Sequence, residues 1–493
     1  MMFLFNNSYF IYSLENIILF AAVFLPLTVI SFFLISKKLK NNRIKAKGLW
    51  ILVWVIIGAF MFNSGTFGTF ADAKTINSKT YIKDELTQDL QQLEKCIMNK
   101  NPLYFADKTD LQQLFSNAYE DIEDGMNEME FYRLINPIVA AVNCGHTNLS
   151  ISEALLLNRE QTAKFFPLNV TLVDNQLYIL ENDPAAGIIA GDEIKSINGI
   201  SNEEIINILL NNISGDGDYE TKRRYIISKH FNSRFYDFVD SSDNFHVVLI
   251  NNEGITKTAD LQAKFRDEFN TTAWGLHSAE YKNGNYYESE IYENHAVLTI
   301  HVFMNEKDNK FDAFLDALFI DLKEKNITKL VIDLRGNFGG DPFMAKSLLS
   351  HLTAKEFEYL DCDLPPIYNL LGFKKPVSPN ETIFNGDVVV LIDGAGFSTT
   401  AHLCALIQYH NLGTLVGSET GGSYVCTDGS KDVVLKHTRM RLHYSTLTFK
   451  VMVDGFSDGN GVKPDIYVSP TIEDIVKNRN PIMEVGLKTL EGL

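Results

Sequence analysis

Two segments of this sequence could do chemistry where a strand runs into a helix. Leu330-Val331-Ile332-Asp333-Leu334-Arg335-Gly336-Asn337-Phe338-Gly339-Gly340-Asp341-Pro342 reads as a buried strand, then paired glycines, then a helix with Asp341 as N-cap and Pro342 as its first residue. Without a Cβ, glycines let backbone N–H groups approach a ligand. At a helix start such groups suit a developing oxyanion, although the same pattern also serves as a plain turn. Val388-Val389-Val390-Leu391-Ile392-Asp393-Gly394-Ala395-Gly396-Phe397-Ser398-Thr399-Thr400 repeats the theme, with Ser398 opening the helix. A hydroxyl at the positive end of a helix suits a nucleophile; structurally it is only a cap. The surrounding Gly-Phe-Ser-Thr-Thr is not the G-x-S-x-G elbow.

A serine nucleophile needs a base, and the chain has 11 histidines. His402 lies four residues after Ser398, on the same helix face. His146, in Cys144-Gly145-His146-Thr147, follows a helical pattern in a loop-like setting, where function concentrates. Lys431 is the nearest downstream lysine and could act as a base if desolvated. The residues alone leave these three open. The five cysteines include no C-x-x-C pair, so neither a zinc ribbon nor a disulfide scaffold is expected. Cys144 and Cys426 lie near the candidate residues and read as structural. No metal and no cofactor is implied.

The elements that must position these residues fall into blocks. Residues 84–155 read mostly helical, with Leu86, Leu90, Leu93 and Ile97 spaced by three and four. From 166 to 265 the pattern shortens to strands, such as 168–173 and 176–180 around the turn Asp174-Asn175. From 291 onward strands at 295–302, 329–333 and 388–393 alternate with helices at 310–325, 342–353 and 399–410. That alternation implies crossover units and a largely parallel sheet.

Composition sets the frame. The chain has 493 residues, 45% hydrophobic and 22% charged, so it is globular and multidomain. A net charge of -18 argues against nucleic acid as a partner. The charge is uneven, because the first seventy residues carry six basic side chains and one acidic one. Residues 16–36 and 48–71 are uncharged, and a basic loop with six positive charges lies between them. These features predict a two-helix transmembrane hairpin with a cytoplasmic loop, and hence an extracytoplasmic body. Ala71-Asp72-Ala73 offers the alternative of cleavage after the second run.

At the candidate residues the sequence resembles the S41 family of serine peptidases, the tail-specific and tricorn-core group. Asp333 to Gly340 resembles its D-L-R-x-N-x-G-G signature, and Gly396-Phe397-Ser398-Thr399-Thr400 its nucleophile segment. Gly417-Ser418-Glu419-Thr420-Gly421-Gly422 resembles its G-x-x-T-x-G turn, and Gly461-Val462-Lys463-Pro464-Asp465 its closing G-V-x-P-D. Upstream, residues 185–199 resemble the G-D-x-I-x-x-I-N-G element of a PDZ domain, a fold that docks extended chain ends by strand addition. The tail-specific branch uses a lysine about 25 residues after its serine, and Thr420-Gly421-Gly422-Ser423-Tyr424 offers none. The tricorn-like branch takes a histidine from D-G-H-T, which Cys144-Gly145-His146-Thr147 resembles with Cys for Asp, and an acid just before G-V-x-P-D, here Asp458.

The resemblance thus implies a Ser398–His146–Asp458 triad, with backbone N–H groups of Thr399 and of Gly339 or Gly340 as the oxyanion hole. The implied fold class is α/β multidomain. Its parts are a transmembrane hairpin (1–75), a helical segment carrying the base (76–160), a PDZ-like β-rich domain (161–265) and an S41, crotonase/ClpP-like, protease core (266–493). The implied function is a membrane-anchored serine endopeptidase, a multi-pass cell-membrane protein acting on extracytoplasmic proteins or peptides. The rival readings are a catalytically silent peptide or lipophile binder and a hydrolase of small esters or amides.

Overall fold

The computed structural model describes residues 78–269, 286–305 and 310–492, together with the backbone of strands Met2–Phe5, Ser8–Tyr12 and Gly68–Asp72. The chain divides into two units, residues 1–80 with 152–162, and residues 81–151 with 163–493. In the first unit Ser8–Tyr12 pairs antiparallel with both Met2–Phe5 and Gly68–Asp72, and Glu153–Thr162 is a helix.

The expected transmembrane hairpin is corrected here. Among the described residues no helix is long and apolar enough to cross a membrane. Residues 16–36 and 48–67 lie outside the described residues. The end of the second uncharged run, from Gly68 onward, is a strand paired with Ser8–Tyr12. Thr69 and Phe70 there are residue types that favour strands.

The second unit begins with three helices, Lys83–Lys100, Lys108–Asp121 and Glu128–Ala140. Leu86, Leu90, Leu93 and Ile97 are fully buried, as their spacing predicts. The third helix opens with a capping box: Asn127 Oδ1 accepts from the Glu130 N–H, and Glu130 Oε2 accepts from the Asn127 N–H. After it, Asn148–Ser150 pairs with Arg441–Tyr444. That pairing pins the loop carrying His146 to a distant part of the chain.

Residues 164–265 hold an antiparallel sheet in the order Thr256–Gln262, Asn244–Ile250, Glu193–Ile197, Gln176–Ile179, Val170–Val173. Asn198 and Gly199 turn at positive φ before the helix Asn202–Leu210, which Ser201 caps. A second helix, Thr221–Phe238, is kinked at His230 and lies along the edge strand Val170–Val173. Ser228 Oγ donates to the Leu172 carbonyl and accepts from the Leu172 N–H, so that edge is covered.

The core is a six-stranded sheet in the order Tyr287–Ile291, Ala296–Ile300, Lys329–Asp333, Asp387–Ile392, Thr414–Gly417, Ile466–Tyr467. The first pair is antiparallel and the rest are parallel. Alternate residues of these apolar strands face opposite layers. Leu330, Ile332, Val388, Val390 and Ile392 pack with residues of the helices Lys310–Glu324, Pro342–Leu352 and Thr399–Tyr409. Val331, Val389, Leu391 and Val416 pack with Ile482 and Leu490 of the helix Pro481–Leu490. Lys329–Asp333 and Asp387–Ile392 are parallel neighbours, so the loops leaving their carboxyl ends emerge side by side, where such sheets bind ligands.

Candidate active site

The first loop is built on Asp333 and Asn337. Asp333 holds the Arg335 guanidinium through two hydrogen bonds, 2.9 and 2.6 Å, and Arg335 reaches on to Asn480. Asn337, fully buried, donates to the Ile300 carbonyl and accepts from the Gly339 N–H and Thr400 Oγ1, each at 2.8 Å. One side chain therefore ties a neighbouring strand, the glycine turn and the next helix together. Gly339 sits at φ +102, and a Cβ there would fall 2.9 Å from Ser398 Cβ and 3.0 Å from Thr399 N. Glycine is what allows the two loops to touch.

The second loop carries Ser398 at φ 54, ψ -124, a strained conformation for a residue with a Cβ. The Ser398 carbonyl accepts from the His402 N–H, starting the helix, yet the side chain makes no capping bond. Its hydroxyl is thus not used as a cap, and the side chain is half-buried rather than sealed. Thr399 Oγ1 donates to the Gly340 carbonyl at 2.6 Å, a second tie between the loops. The Gly339 N–H is occupied by Asn337. Those of Gly340 and Thr399 have no acceptor among the described residues.

His146 comes from the loop between Ala140 and Asn148 and is nearly buried, with 15% of its side chain exposed. Its ring lies on that of Phe397, the residue before Ser398, at a centroid separation of 4.5 Å. Burial first, then the charges of Lys222 and His443, push its pKa down to about 4, against the pull of Asp428. Its Nδ1 is buried without a hydrogen-bond partner among the described residues. Asp428 Oδ2 stands 3.8 Å from Nε2, too far for a hydrogen bond but close enough for charge to act.

The loop before His146 rests on two buried charges. The Gly145 N–H donates to Asp216 Oδ1 at 2.7 Å, and Lys222 Nζ donates to the Gly145 carbonyl at 2.9 Å. Burial pushes Asp216 up to about 6 against the pull of Lys222, and pushes Lys222 down to about 8 against that of Asp216. Cys144 is also buried. Its Sγ lies 2.7 Å from Thr427 Oγ1 and 3.1 Å from Ser445 Oγ, so it wedges the loop against the strand before Asp428.

The structure therefore brings Ser398, Gly339, Gly340 and Thr399 together, with His146 set against Phe397, the residue before Ser398. It does not bring Asp458 to His146: the Asp458 carboxylate accepts from Tyr104 and Tyr424 instead. His402 is buried in the first turn of the nucleophile helix, with Nε2 unpartnered among the described residues; its pKa is lowered to about 3 by burial and by His146. Lys431 is exposed at the start of a strand. Asp428, Asp216 and Lys222 were not selected from the sequence. One signal existed for Lys222. It lies in the first turn of a helix that has no acidic residue there, against the helix dipole.

Residues 294–468 match peptidase family S41. This stretch is an S41 peptidase domain, and the protein is a serine peptidase. Its fold is similar to that of mature CPAF complexed with lactacystin, at TM-score 0.61 and 14% identity, covering 83% of this chain and 97% of that one. Mature CPAF alone gives TM-score 0.60 at 14% identity, covering 83% and 96%. The photosystem II D1 C-terminal processing protease gives TM-score 0.39 at 14% identity, covering 80% and 96%. No curated protein matches. The matched domain holds Ser398 and both glycines, whereas His146 and Lys222 lie upstream of it in the same structural unit.

Proposed function

We propose that the peptidase cleaves peptide bonds within protein or peptide chains, with Ser398 as nucleophile and His146 as base. The observation that carries the assignment is Ser398 itself. It opens a helix at positive φ, its hydroxyl caps nothing, and a Cβ at position 339 would fall 2.9 Å from its own Cβ, so only glycine fits beside it. Ser398 Oγ attacks the scissile carbonyl and its proton passes to His146. The C–N bond breaks as His146 returns that proton to the leaving amine, and water then releases the acyl group by the same route. The Gly340 and Thr399 N–H groups receive the oxyanion, and each such donor lowers the barrier by about 3 kcal/mol. Asp428 is the carboxylate facing the imidazole; Asp458 is the one the family resemblance supplies.

Labelling with a fluorophosphonate probe tests this reading, with Ser398→Ala as control. Labelling of the wild type that is lost in Ser398→Ala is the expected result. Labelling that persists in Ser398→Ala overturns the assignment of Ser398, and labelling of neither form overturns it and favours the binding-protein alternative.

A further inference from the structure

Lys222 touches both halves of the site. Its Nζ donates to the carbonyl of Gly145, the residue before the base, and stands 3.8 Å from the ring centroid of Phe397, the residue before the nucleophile. A Cβ at position 145 would fall 2.5 Å from the Phe397 ring and 2.6 Å from Lys222 Nζ, so glycine there is what lets the three meet. Asp216 completes the clamp by accepting the Gly145 N–H, so both backbone groups of one residue are held by oppositely charged side chains. Asp216 is fully buried and Lys222 is 7% exposed.

We propose that Lys222, with Asp216 on the other side of Gly145, is a positioning residue that sets the spacing between the base loop and the nucleophile turn. This rests on the Ser398–His146 reading above. Two buried opposite charges are a poor device for stability, because desolvation of both offsets their attraction and hydrophobic side chains of similar size do as well. What a hydrophobic pair cannot do is hold the Gly145 N–H and carbonyl together while a cation rests on Phe397. The charged and titratable groups around His146 are Asp428, Lys222, His443 and His402; those around Lys222 are Asp216, Cys144, Arg223 and Arg234. Removing the Lys222 charge therefore also changes the field at the base.

The test is the rate of fluorophosphonate labelling as a function of pH and probe concentration, for the wild type, Lys222→Met and Lys222→Met/Asp216→Asn. The double variant leaves an amide oxygen for the Gly145 N–H and no unpaired buried charge, so it guards against simple unfolding. In Lys222→Met the maximal labelling rate is expected to fall about 100-fold, as for a displacement on the order of 1 Å. The half-saturating probe concentration should stay within about threefold, and the acid limb should move to higher pH because a positive neighbour of His146 is gone. In the double variant the thermal midpoint should recover while the rate does not. Recovery of the rate together with stability, or an acid limb that stays in place in Lys222→Met, overturns the proposal. An unlabelled wild type instead overturns the Ser398–His146 reading.

Discussion

The ring of His146 lies on the ring of Phe397 at a centroid separation of 4.5 Å and an interplanar angle of 35°. Phe397 immediately precedes Ser398, so the base meets the nucleophile's turn through an aromatic contact. Such contacts add about 1 kcal/mol beyond simple burial. The ring is 4% exposed and carries Lys222 as well. Replacing it with alanine should cost about 3–5 kcal/mol of stability and remove the surface that orients the imidazole. Phe397→Ala is therefore expected to unfold at lower denaturant and to label at least tenfold more slowly under native conditions. Normal labelling in a folded Phe397→Ala protein would show that the base is oriented elsewhere.

Asn337 makes a separate case, because its three hydrogen bonds all serve loop geometry. Asn337→Ala leaves the Ile300 carbonyl, the Gly339 N–H and Thr400 Oγ1 without their buried partner. The expected loss is about 3 kcal/mol or more, because unsatisfied buried groups cost more than a net hydrogen bond. Asn337→Asp keeps the two acceptor contacts but loses the donor to Ile300. It should label faster than Asn337→Ala while remaining less stable than the wild type. Chemical denaturation together with labelling rates checks both orderings.

The pH dependence follows from burial. His146 is lowered to about 4 and His402 to about 3, both chiefly by desolvation. A neutral His146 is the competent base, so activity should hold well below pH 6.5, where an ordinary histidine is already protonated. For stability the sign is opposite to that of a paired histidine. The folded-state values lie below the unfolded value of about 6.5, so the unfolded chain binds more protons. Stability is complete above pH 6.5 and is lost as pH falls towards those folded values. Thermal midpoints at pH 7 and pH 5 should differ, and His402→Leu, which sacrifices no hydrogen bond of Nε2, should narrow the difference. An unchanged gap would mean that His402 does not carry the acid sensitivity.

Much of the site was legible because its information is local. Continuous apolar strands, paired glycines and a Pro after an Asp cap specify the two strand-loop-helix units within about a dozen residues each. The residues alone left His146 as one of three candidate bases, and the resemblance of Cys144-Gly145-His146-Thr147 chose it, because a loop histidine has no periodicity to betray it. Asp216 and Asp428 were not legible, and Lys222 only through its place in a first helical turn without acidic residues: the three lie in separate stretches and meet only in three dimensions. The Val170–Val173 edge was similarly hidden. The sequence predicted strand addition nearby, yet a helix more than fifty residues downstream in the chain covers that edge through Ser228.

The identity of the orienting acid separates resemblance from geometry. Asp458 holds the position the family motif would give it, but its carboxylate is engaged by Tyr104 and Tyr424. Asp428 stands 3.8 Å from His146 Nε2 and raises its pKa. Asp428→Asn should therefore slow labelling by at least tenfold and move the acid limb further down, since an anion that favours the imidazolium is gone. Asp458→Asn keeps an oxygen that can accept from one of its tyrosines, so its effect should be smaller, with no movement of the limb. If Asp458→Asn proves the more damaging change and shifts the limb, the motif position carries the acid after all. Tyr104 and Tyr424 would then have to release that carboxylate when substrate binds.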